Sequence, residues 1–352
     1  MTQAKTAHRT TAEDTSSPDK SAEDKKEASA RRRFWTILLT VLSVALGGYL
    51  LYRTLAGYSL DQLVQSVRAL PAGRLAAAGG FAAASYLCLT GIDWLALRAA
   101  GTPLPYPRVA LAAFISLGLG HSIGFAGLSS GAIRYRFYTR WGLHTADVAK
   151  AVLFCGVTVA VGLMALGAIA VLVHPDLART VTGLGSGAVM AAGLACAGGV
   201  AGYLGLAAWW RKPLTFRRWS LEMPPLPLAA AQVSLGAVNF ALVSACLHQV
   251  LSAVSDVGYL AVASVFVIAN AAVLITHVPG GVGVIESVVV HLLPKTDVIG
   301  PLIAFRCLYF LAPLALGLVA FAVTEAVFRW RDAGGAAATP SRTAAPGRAA
   351  RS

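Results

Sequence analysis

The sequence predicts an all-α polytopic membrane protein, and three observations lead to that fold class. Of the 352 residues, 57% are hydrophobic and only 13% are charged, whereas a typical soluble domain has about 25% charged residues. The mean hydropathy is +0.66. The apolar residues fall into runs of about 20, the length that crosses the roughly 30 Å hydrocarbon layer of a bilayer. A soluble globular protein is therefore excluded.

Eight apolar segments follow one another along the chain. An isolated spanning strand would leave backbone groups unpaired in lipid, and no series of alternating ten-residue segments indicates a barrel, so we expect helices. The segments are residues 34–52, 75–99, 109–128, 149–173, 187–210, 227–252, 258–278 and 298–328. They form a predicted transmembrane domain over residues 34–330.

Polar tails flank this domain. Residues 1–33 mix acidic and basic side chains with Ser, Thr and Ala, which is typical of a disordered tail rather than of a cleavable signal. The tail ends in three arginines, residues 31–33, directly before the first apolar segment, and this favours a cytoplasmic N-terminus. Residues 331–352 are expected to form a second disordered tail, also in the cytoplasm.

Composition and motifs argue against several functions. The net charge of +13 does not indicate nucleic-acid binding, because the basic residues flank apolar segments as in membrane proteins. The five cysteines are widely spaced within apolar segments, so we expect neither a disulfide framework nor a metal site. P-loop and HExxH signatures are absent. We expect a protein that is not an enzyme and has no cofactor.

Eight complete crossings conflict with the distribution of basic residues. With a cytoplasmic N-terminus, two basic stretches would lie outside. If segments 109–128 and 258–278 instead enter the membrane, break and return, both stretches become cytoplasmic. We therefore predict about six complete transmembrane helices and two re-entrant hairpins of opposite orientation, as in inverted-repeat transporters. The two basic stretches contain Arg134, Arg136, Arg140 and Lys150, and Arg211, Lys212, Arg217 and Arg218.

Both proposed hairpins contain residues that end helices. Proline lacks a backbone donor and glycine admits positive φ. In the first hairpin, the glycines are also compatible with close packing of continuous helices. The helix-ending residues are the glycines between Gly118 and Gly131 in the first hairpin and Pro279, Gly280, Gly281 and Gly283 in the second.

Two charged residues near the second break are candidates for function. Glu286 follows the Pro-Gly turn, where it could cap the turn or serve as a gate. Arg306 shares a helical face with Tyr309 and could either pair with Glu286 or bind a lipid phosphate. Pro313 frees the carbonyl of Tyr309 from helical hydrogen bonding.

Arg134 and Arg136 lie in a segment of alternating basic and aromatic residues. This pattern fits either a topology anchor or recognition of an anionic headgroup. Asp93 is expected to pair with Arg98 or to act as an anchor. His121 is expected to be a hydrogen-bonded structural residue, and His277 likewise.

These motifs resemble a known family. The run from His277 to Glu286 resembles the Pro-Gly-Gly-x-Gly-x-x-Glu signature of the transmembrane, flippase-like domain of lysylphosphatidylglycerol synthases. Arg306, Tyr309 and Pro313 are similar to that domain's last-helix motif. The segment from Gly131 to Arg136 resembles its first-half arginine segment. The resemblance covers roughly residues 31–330.

The resemblance implies transfer of an anionic or aminoacylated phospholipid between the leaflets of a bacterial inner membrane. No aminoacyl-transferase domain follows the last apolar segment, so we expect the protein to act on lipid made elsewhere. The alternative is a noncatalytic membrane subunit that presents lipid to a partner glycosyl- or aminoacyl-transferase. The expected binding or gating residues are Arg134, Arg136, Pro279, Gly280, Gly281, Gly283, Glu286, Arg306 and Tyr309.

Overall fold

The computed structural model describes residues 60–123, 126–210, 214–216, 219–221, 223–276, 285, 288–290 and 298–337. All of them belong to one compact unit, residues 47–352. The helices are α1 (Leu60–Arg68), α2 (Ala72–Ala99), α3 (Tyr106–Ile123), α4 (Ala126–Arg140), α5 (Thr145–Val173), α6 (Pro175–Thr182), α7 (Ser186–Trp209), α8 (Leu226–Leu251), α9 (Tyr259–Thr276), α10 (Ile299–Arg306) and α11 (Ala312–Ala337), with a π-helical turn at Cys307–Leu311 between the last two. Strands β1 (Leu214–Phe216) and β2 (Trp219–Leu221) pair antiparallel.

The structure confirms a polytopic helical membrane protein. Within the described residues, five helical stretches are long and apolar enough to cross a membrane, and a sixth apolar helix, Tyr259–Leu274, is shorter. Their bounds agree closely with the predicted segments, because long apolar runs are the strongest signal that a membrane sequence carries. The predicted first segment, residues 34–52, lies outside the described residues. The five stretches are Ala72–Ala99, Thr145–Val173, Ser186–Trp209, Leu226–Leu251 and Gly300–Trp330.

Three local features differ from the prediction. Helix α11 continues to Ala337, so the beginning of the predicted 331–352 tail is helical; alanine favours helix and no proline intervenes before Pro340. The short helices α1 and α6 and the β1–β2 hairpin were not predicted. They are too short and too polar to stand out in a hydropathy pattern.

Helices α3 and α4 form a hairpin that returns to the end where it began. At the start of α3, the Tyr106 hydroxyl lies 2.9 Å from Thr90 Oγ1 in α2. Near the end of α4, the Tyr138 hydroxyl donates to Asp93, which is also in α2, over 3.2 Å. Both ends of the hairpin therefore lie beside the C-terminal third of α2. The predicted re-entrant arrangement of segment 109–128 agrees with this geometry.

The basic residues at the ends of these helices share one end of the bundle, which we call the Arg98 end. Arg98 lies in the last turn of α2 and Arg108 in the first turn of α3. Arg140 ends α4 and lies over the Phe328 ring of α11. At the opposite end, the Arg74 end, Arg74 Nη1 donates to Gln249 Oε1 over 2.9 Å, which joins the start of α2 to the end of α8. Arg211, Lys212, Arg217 and Arg218 lie outside the described residues.

Helix α9 enters from the Arg74 end. It begins beside the second half of α8, where the Tyr259 ring lies 5.8 Å from that of His248 and the Tyr259 hydroxyl donates to the Ala241 carbonyl over 3.0 Å. Helix α10 begins at this same end, because it packs against α1, which directly precedes α2. Helices α9 and α10 therefore start at one end of the bundle. This is the relation that the predicted second hairpin requires, although its break at Pro279–Gly283 lies outside the described residues.

Part of the helix packing follows the pattern of an inverted repeat. Helix α2 packs on α3 and α5, just as α8 packs on α9 and α10. Helix α3 packs on α11, just as α9 packs on α5. Exchanging α2 with α8, α3 with α9, and α5 with α10–α11 reproduces these three contacts, whereas the contacts of α7 with α5 and α8 have no counterpart among the described residues. The central pair, α2 and α8, runs antiparallel, and Ser85 Oγ donates to Asn239 Oδ1 over 2.7 Å where the two helices meet.

Candidate functional site

The π-helical turn after Arg306 is the least regular part of the last described span. Pro313 has no N–H, so it cannot bond the Tyr309 carbonyl four residues earlier. The Tyr86 hydroxyl of α2 donates to that carbonyl over 3.3 Å. Gly118 allows α3 to pack closely against the start of α11, since a Cβ at this position would lie 2.6 Å from the Pro313 carbonyl oxygen. Single π-helical turns are frequent at functional sites.

The hydroxyl of Tyr309 joins the two halves of the repeat. It lies 3.2 Å from Ser85 Oγ. Because Ser85 uses its own proton to bond Asn239 Oδ1, the Tyr309 hydroxyl is the donor of this second hydrogen bond. Tyr309 is buried. A chain of polar groups thus links α2, α8 and the π-helical turn within an apolar interior.

Aromatic rings surround this polar chain. Tyr309 stacks on Phe305 with ring centroids 5.7 Å apart and an interplanar angle of 2°. The ring of His121, near the end of α3, lies 6.3 Å from that of Tyr309. Phe266 of α9 lies 6.3 Å from Phe305. We call Tyr86, Phe114, His121, Phe305, Tyr309 and Phe310 the aromatic cluster; its rings pack through successive contacts.

Arg306 lies at the edge of the aromatic cluster. The residue is buried, and its guanidinium carbon lies 5.7 Å from the ring centre of Phe310, within cation–π distance. Of the nine predicted site residues, the structure brings together Arg306 and Tyr309. Pro279, Gly280, Gly281, Gly283 and Glu286 lie outside the described residues, so the predicted pairing of Glu286 with Arg306 stays a prediction.

Arg134 is buried against Asp93 rather than placed at a surface. Its Nε and Nη2 donate to the two carboxylate oxygens over 2.5 and 2.7 Å, and the two side chains are 4% and 2% exposed. The predicted pairing of Asp93 with Arg98 is wrong. The guanidinium of Arg98 lies 4.5 Å from the Trp94 ring centre instead, because the hairpin inserts Arg134 beside Asp93.

Arg136 is separate from the aromatic cluster. Its Nη2 donates to Glu325 Oε1 of α11 over 2.7 Å. One turn further along α4, the guanidinium carbon of Arg140 lies 4.4 Å from the Phe328 ring centre. These contacts hold the hairpin to α11 and present a basic and aromatic surface at the Arg98 end.

Two known proteins are similar to this chain. It is 32% identical over 275 residues to the uncharacterized protein slr0712 of Synechocystis sp., covering 76% of this chain and 85% of that protein. It is 29% identical over 269 residues to the inner membrane protein YbhN of Escherichia coli, covering 71% of this chain and 80% of YbhN. The chain belongs to the same family as slr0712. No family model matches it.

One short segment of the chain matches a sequence motif that is known from serine hydrolases. Residues 127–131 read Gly-Leu-Ser-Ser-Gly and so fit G-x-S-x-G. In hydrolases the motif serine lies on a sharp turn between a strand and a helix. Here Ser129 and Ser130 lie within the first turns of α4. The motif's structural context is therefore absent, and the match gives no support for a serine hydrolase.

The sequence did not identify three residues of the site. Ser85, Tyr86 and Asn239 are uncharged residues within apolar helices, and their roles arise from partners far along the chain. The freed carbonyl of Tyr309 was predictable from Pro313, but its donor was not. A small polar residue at the centre of a predicted span is the one signal that could have pointed to Ser85 and Asn239.

Proposed function

We propose that this protein is a lipid translocase, which moves an anionic or aminoacylated phospholipid between the leaflets of the bacterial inner membrane. One observation carries the proposal. Helix α10 and the π-helical turn together form one short segment, residues 299–311. Tyr309 of this segment contacts His121 of α3, and its Phe305 contacts Phe266 of α9. Helices that enter from opposite ends of the bundle thus contact one short segment that includes a buried arginine.

The chemistry of this segment suits a phosphate. A charged side chain inside a membrane is costly and usually marks a substrate pathway. Arginine binds phosphate through two parallel hydrogen bonds. The hydroxyl groups of Ser85 and Tyr309 lie 3.2 Å apart and add polar groups at the π-helical turn that follows Arg306. In this proposal, Arg306 attracts the lipid phosphate, and the headgroup passes along the polar chain between the halves of the repeat.

Arg134 and Arg136 have different parts in the proposal. Arg134 holds α4 on α2, because two of its donors bond Asp93. Arg136 and Arg140 belong to the basic and aromatic surface at the Arg98 end, which suits the headgroups of anionic lipids. This surface is the proposed entry for lipid from the cytoplasmic leaflet. By the positive-inside bias, we propose that the Arg98 end faces the cytoplasm and that both termini are cytoplasmic.

Similar proteins support the proposed location. YbhN of Escherichia coli is an inner membrane protein, as its name states. The resemblance of residues 277–286 and 306–313 to the flippase-like domain of lysylphosphatidylglycerol synthases points to phospholipid as the substrate. The residues from Pro279 to Gly283 and Glu286 lie outside the described residues, and by that resemblance they are predicted to break the second hairpin and to gate the site or pair with Arg306. The proposal includes no chemical change to the lipid and no cofactor.

The proposal is tested by reconstitution into liposomes that contain fluorescent phosphatidylglycerol. Dithionite bleaches the label in the outer leaflet, so the rate of further bleaching reports transfer between leaflets. We expect faster transfer with the wild-type chain than in protein-free liposomes, and loss of that effect in Arg306→Gln. Arg329→Gln is the matched control, because Arg329 is 68% exposed on α11 and should behave as wild type.

Absence of transfer by the folded wild-type chain would overturn the proposal. Transfer or lipid modification seen only when a glycosyl- or aminoacyl-transferase is added would also overturn it. That result would favour the alternative, in which the protein presents lipid to a partner enzyme.

A further inference from the structure

The ring of His121 has a buried nitrogen without a hydrogen-bond partner. Its Nδ1 is excluded from solvent, and no donor or acceptor among the described residues bonds it. The sequence predicted a hydrogen-bonded structural histidine, and at Nδ1 no such bond is present among the described residues. Buried polar atoms are paired in the great majority of cases, so an unpaired one calls for an explanation. Histidine nitrogens are useful donors because imidazole keeps an N–H in its neutral form.

The surroundings of His121 are aromatic. The rings of Tyr86, Tyr309 and Phe310 lie 6.3, 6.3 and 6.5 Å from the imidazole. Phe310 also lies below the guanidinium of Arg306. The imidazole and the guanidinium therefore contact the same phenyl ring, although they belong to opposite halves of the repeat. A headgroup that displaces this phenyl ring breaks no side-chain hydrogen bond.

We infer that His121 is a second contact for the phosphate of the transported lipid, and that its Nδ1–H donates to a phosphate oxygen. The inference rests on the proposed function and deepens it. It places the phosphate beside Phe310, with Arg306 from one half of the repeat and His121 from the other. The ligand chemistry is a phosphodiester anion rather than the ammonium group of a headgroup.

Hydrogen-bonding chemistry favours the anion. The guanidinium of Arg306, next to Phe310, and the N–H of His121 are both donors, and phosphate oxygens accept such hydrogen bonds. An ammonium group carries donors and no acceptor, so it could bond neither of them.

The test measures binding rather than transport. The full chain is purified in detergent, and its Tm is followed by intrinsic tryptophan fluorescence during titration with dihexanoylphosphatidylglycerol. We expect the lipid to raise the Tm of the wild type. In His121→Ala the apparent affinity should fall about tenfold or more, the loss expected for a hydrogen bond to a charged group. In His121→Asn, whose amide can reach the position of Nδ1, much of the affinity should return.

Controls separate the sources of the effect. His144→Ala removes an exposed histidine before α5 and should bind as wild type. Dihexanoylglycerol, which has no phosphate, should leave the Tm unchanged. Inorganic phosphate at the same concentration should have little effect if the site takes a lipid. A response to inorganic phosphate as large as that to the lipid would overturn the assignment to a lipid headgroup.

Two outcomes distinguish this inference from the proposed function. If the lipid raises the Tm of the wild type and of His121→Ala equally, the role of His121 is overturned and the proposed function stands. If the wild type neither binds the lipid nor transfers it, the proposed function itself fails.

A measurement on the wild-type chain tests the inference even if His121→Ala does not fold. Diethylpyrocarbonate modification of His121 in the wild type should be slowed by dihexanoylphosphatidylglycerol and unaffected by dihexanoylglycerol. Equal modification rates with and without the phospholipid would overturn the inference.

Discussion

The guanidinium of Arg134 donates to both carboxylate oxygens of Asp93, and this pair is a buried link between the α3–α4 hairpin and α2. The two charges compensate each other only while they are together. Removal of one leaves the other unpaired in a poorly hydrated interior.

We therefore predict that Asp93→Asn or Arg134→Gln lowers the free energy of unfolding by about 3 to 5 kcal/mol. The double variant should be more stable than either single one, because it leaves no isolated charge. Thermal unfolding in detergent measures this. Arg98→Gln is the control, since Arg98 stacks on Trp94 without pairing with Asp93. Additive losses in the double variant would contradict the prediction.

The Tyr309 carbonyl yields a second prediction. Tyr86→Phe removes its donor, and an unsatisfied buried carbonyl should cost about 1 to 3 kcal/mol. In a Pro313→Ala background, the restored N–H can bond Tyr309 directly, so Tyr86→Phe should cost less. A double-mutant cycle on Tm reports this coupling. If Tyr86→Phe costs the same in both backgrounds, the tyrosine does not substitute for the missing helical donor.

The contact between α5 and α8 gives a third prediction. A Cβ at Gly236 would lie 2.5 Å from the Thr158 carbonyl oxygen and 2.8 Å from Gly162 Cα. Gly236→Ala should therefore destabilise by about 1 to 3 kcal/mol through overpacking. Gly198→Ala in α7 is the matched control, because nothing lies within 4 Å of its Cβ position. Gly198→Ala should leave the stability unchanged or raise it by up to about 1 kcal/mol. Thermal unfolding in detergent measures both variants, and equal changes in stability would contradict the prediction.

A fourth prediction concerns orientation. Ala146 is exposed at the start of α5, at the Arg98 end, and Thr180 is exposed in α6, at the Arg74 end. In intact cells, a membrane-impermeant thiol reagent should label Thr180→Cys and leave Ala146→Cys unlabelled until the membrane is opened. The wild-type chain, with its native cysteines, gives the background. The reverse labelling pattern would place the Arg98 end outside the cell.

The extent of the spans was predictable because burial in lipid demands long apolar runs. The first hairpin was also predictable, since Arg134 and Arg136 could not be cytoplasmic in eight complete crossings. The partner of Asp93 was not predictable. Arg134 lies 41 residues away along the chain, and only the folding back of α4 brings it beside Asp93, whereas Arg98 was close in sequence.

Around the π-helical turn, the sequence predicted the free carbonyl of Tyr309 but not the donor that bonds it. Pro313 acts locally, so its effect on Tyr309 follows from helix geometry alone. Tyr86 is 223 residues from Tyr309 and meets it through the packing of α2 against the turn. The unpaired Nδ1 of His121 is likewise a property of tertiary packing. A lone histidine in a sequence does not report whether a partner exists.

The attachment of the first hairpin to the last helix affects how the protein is made. Arg136 and Glu325, which join α4 to α11, are 189 residues apart. When the ribosome has completed the hairpin, the helix that covers it has not been synthesised. The hairpin therefore gains these contacts only after α11 has been translated, and we expect a chain truncated before Ala312 to be recognised by membrane quality-control proteases.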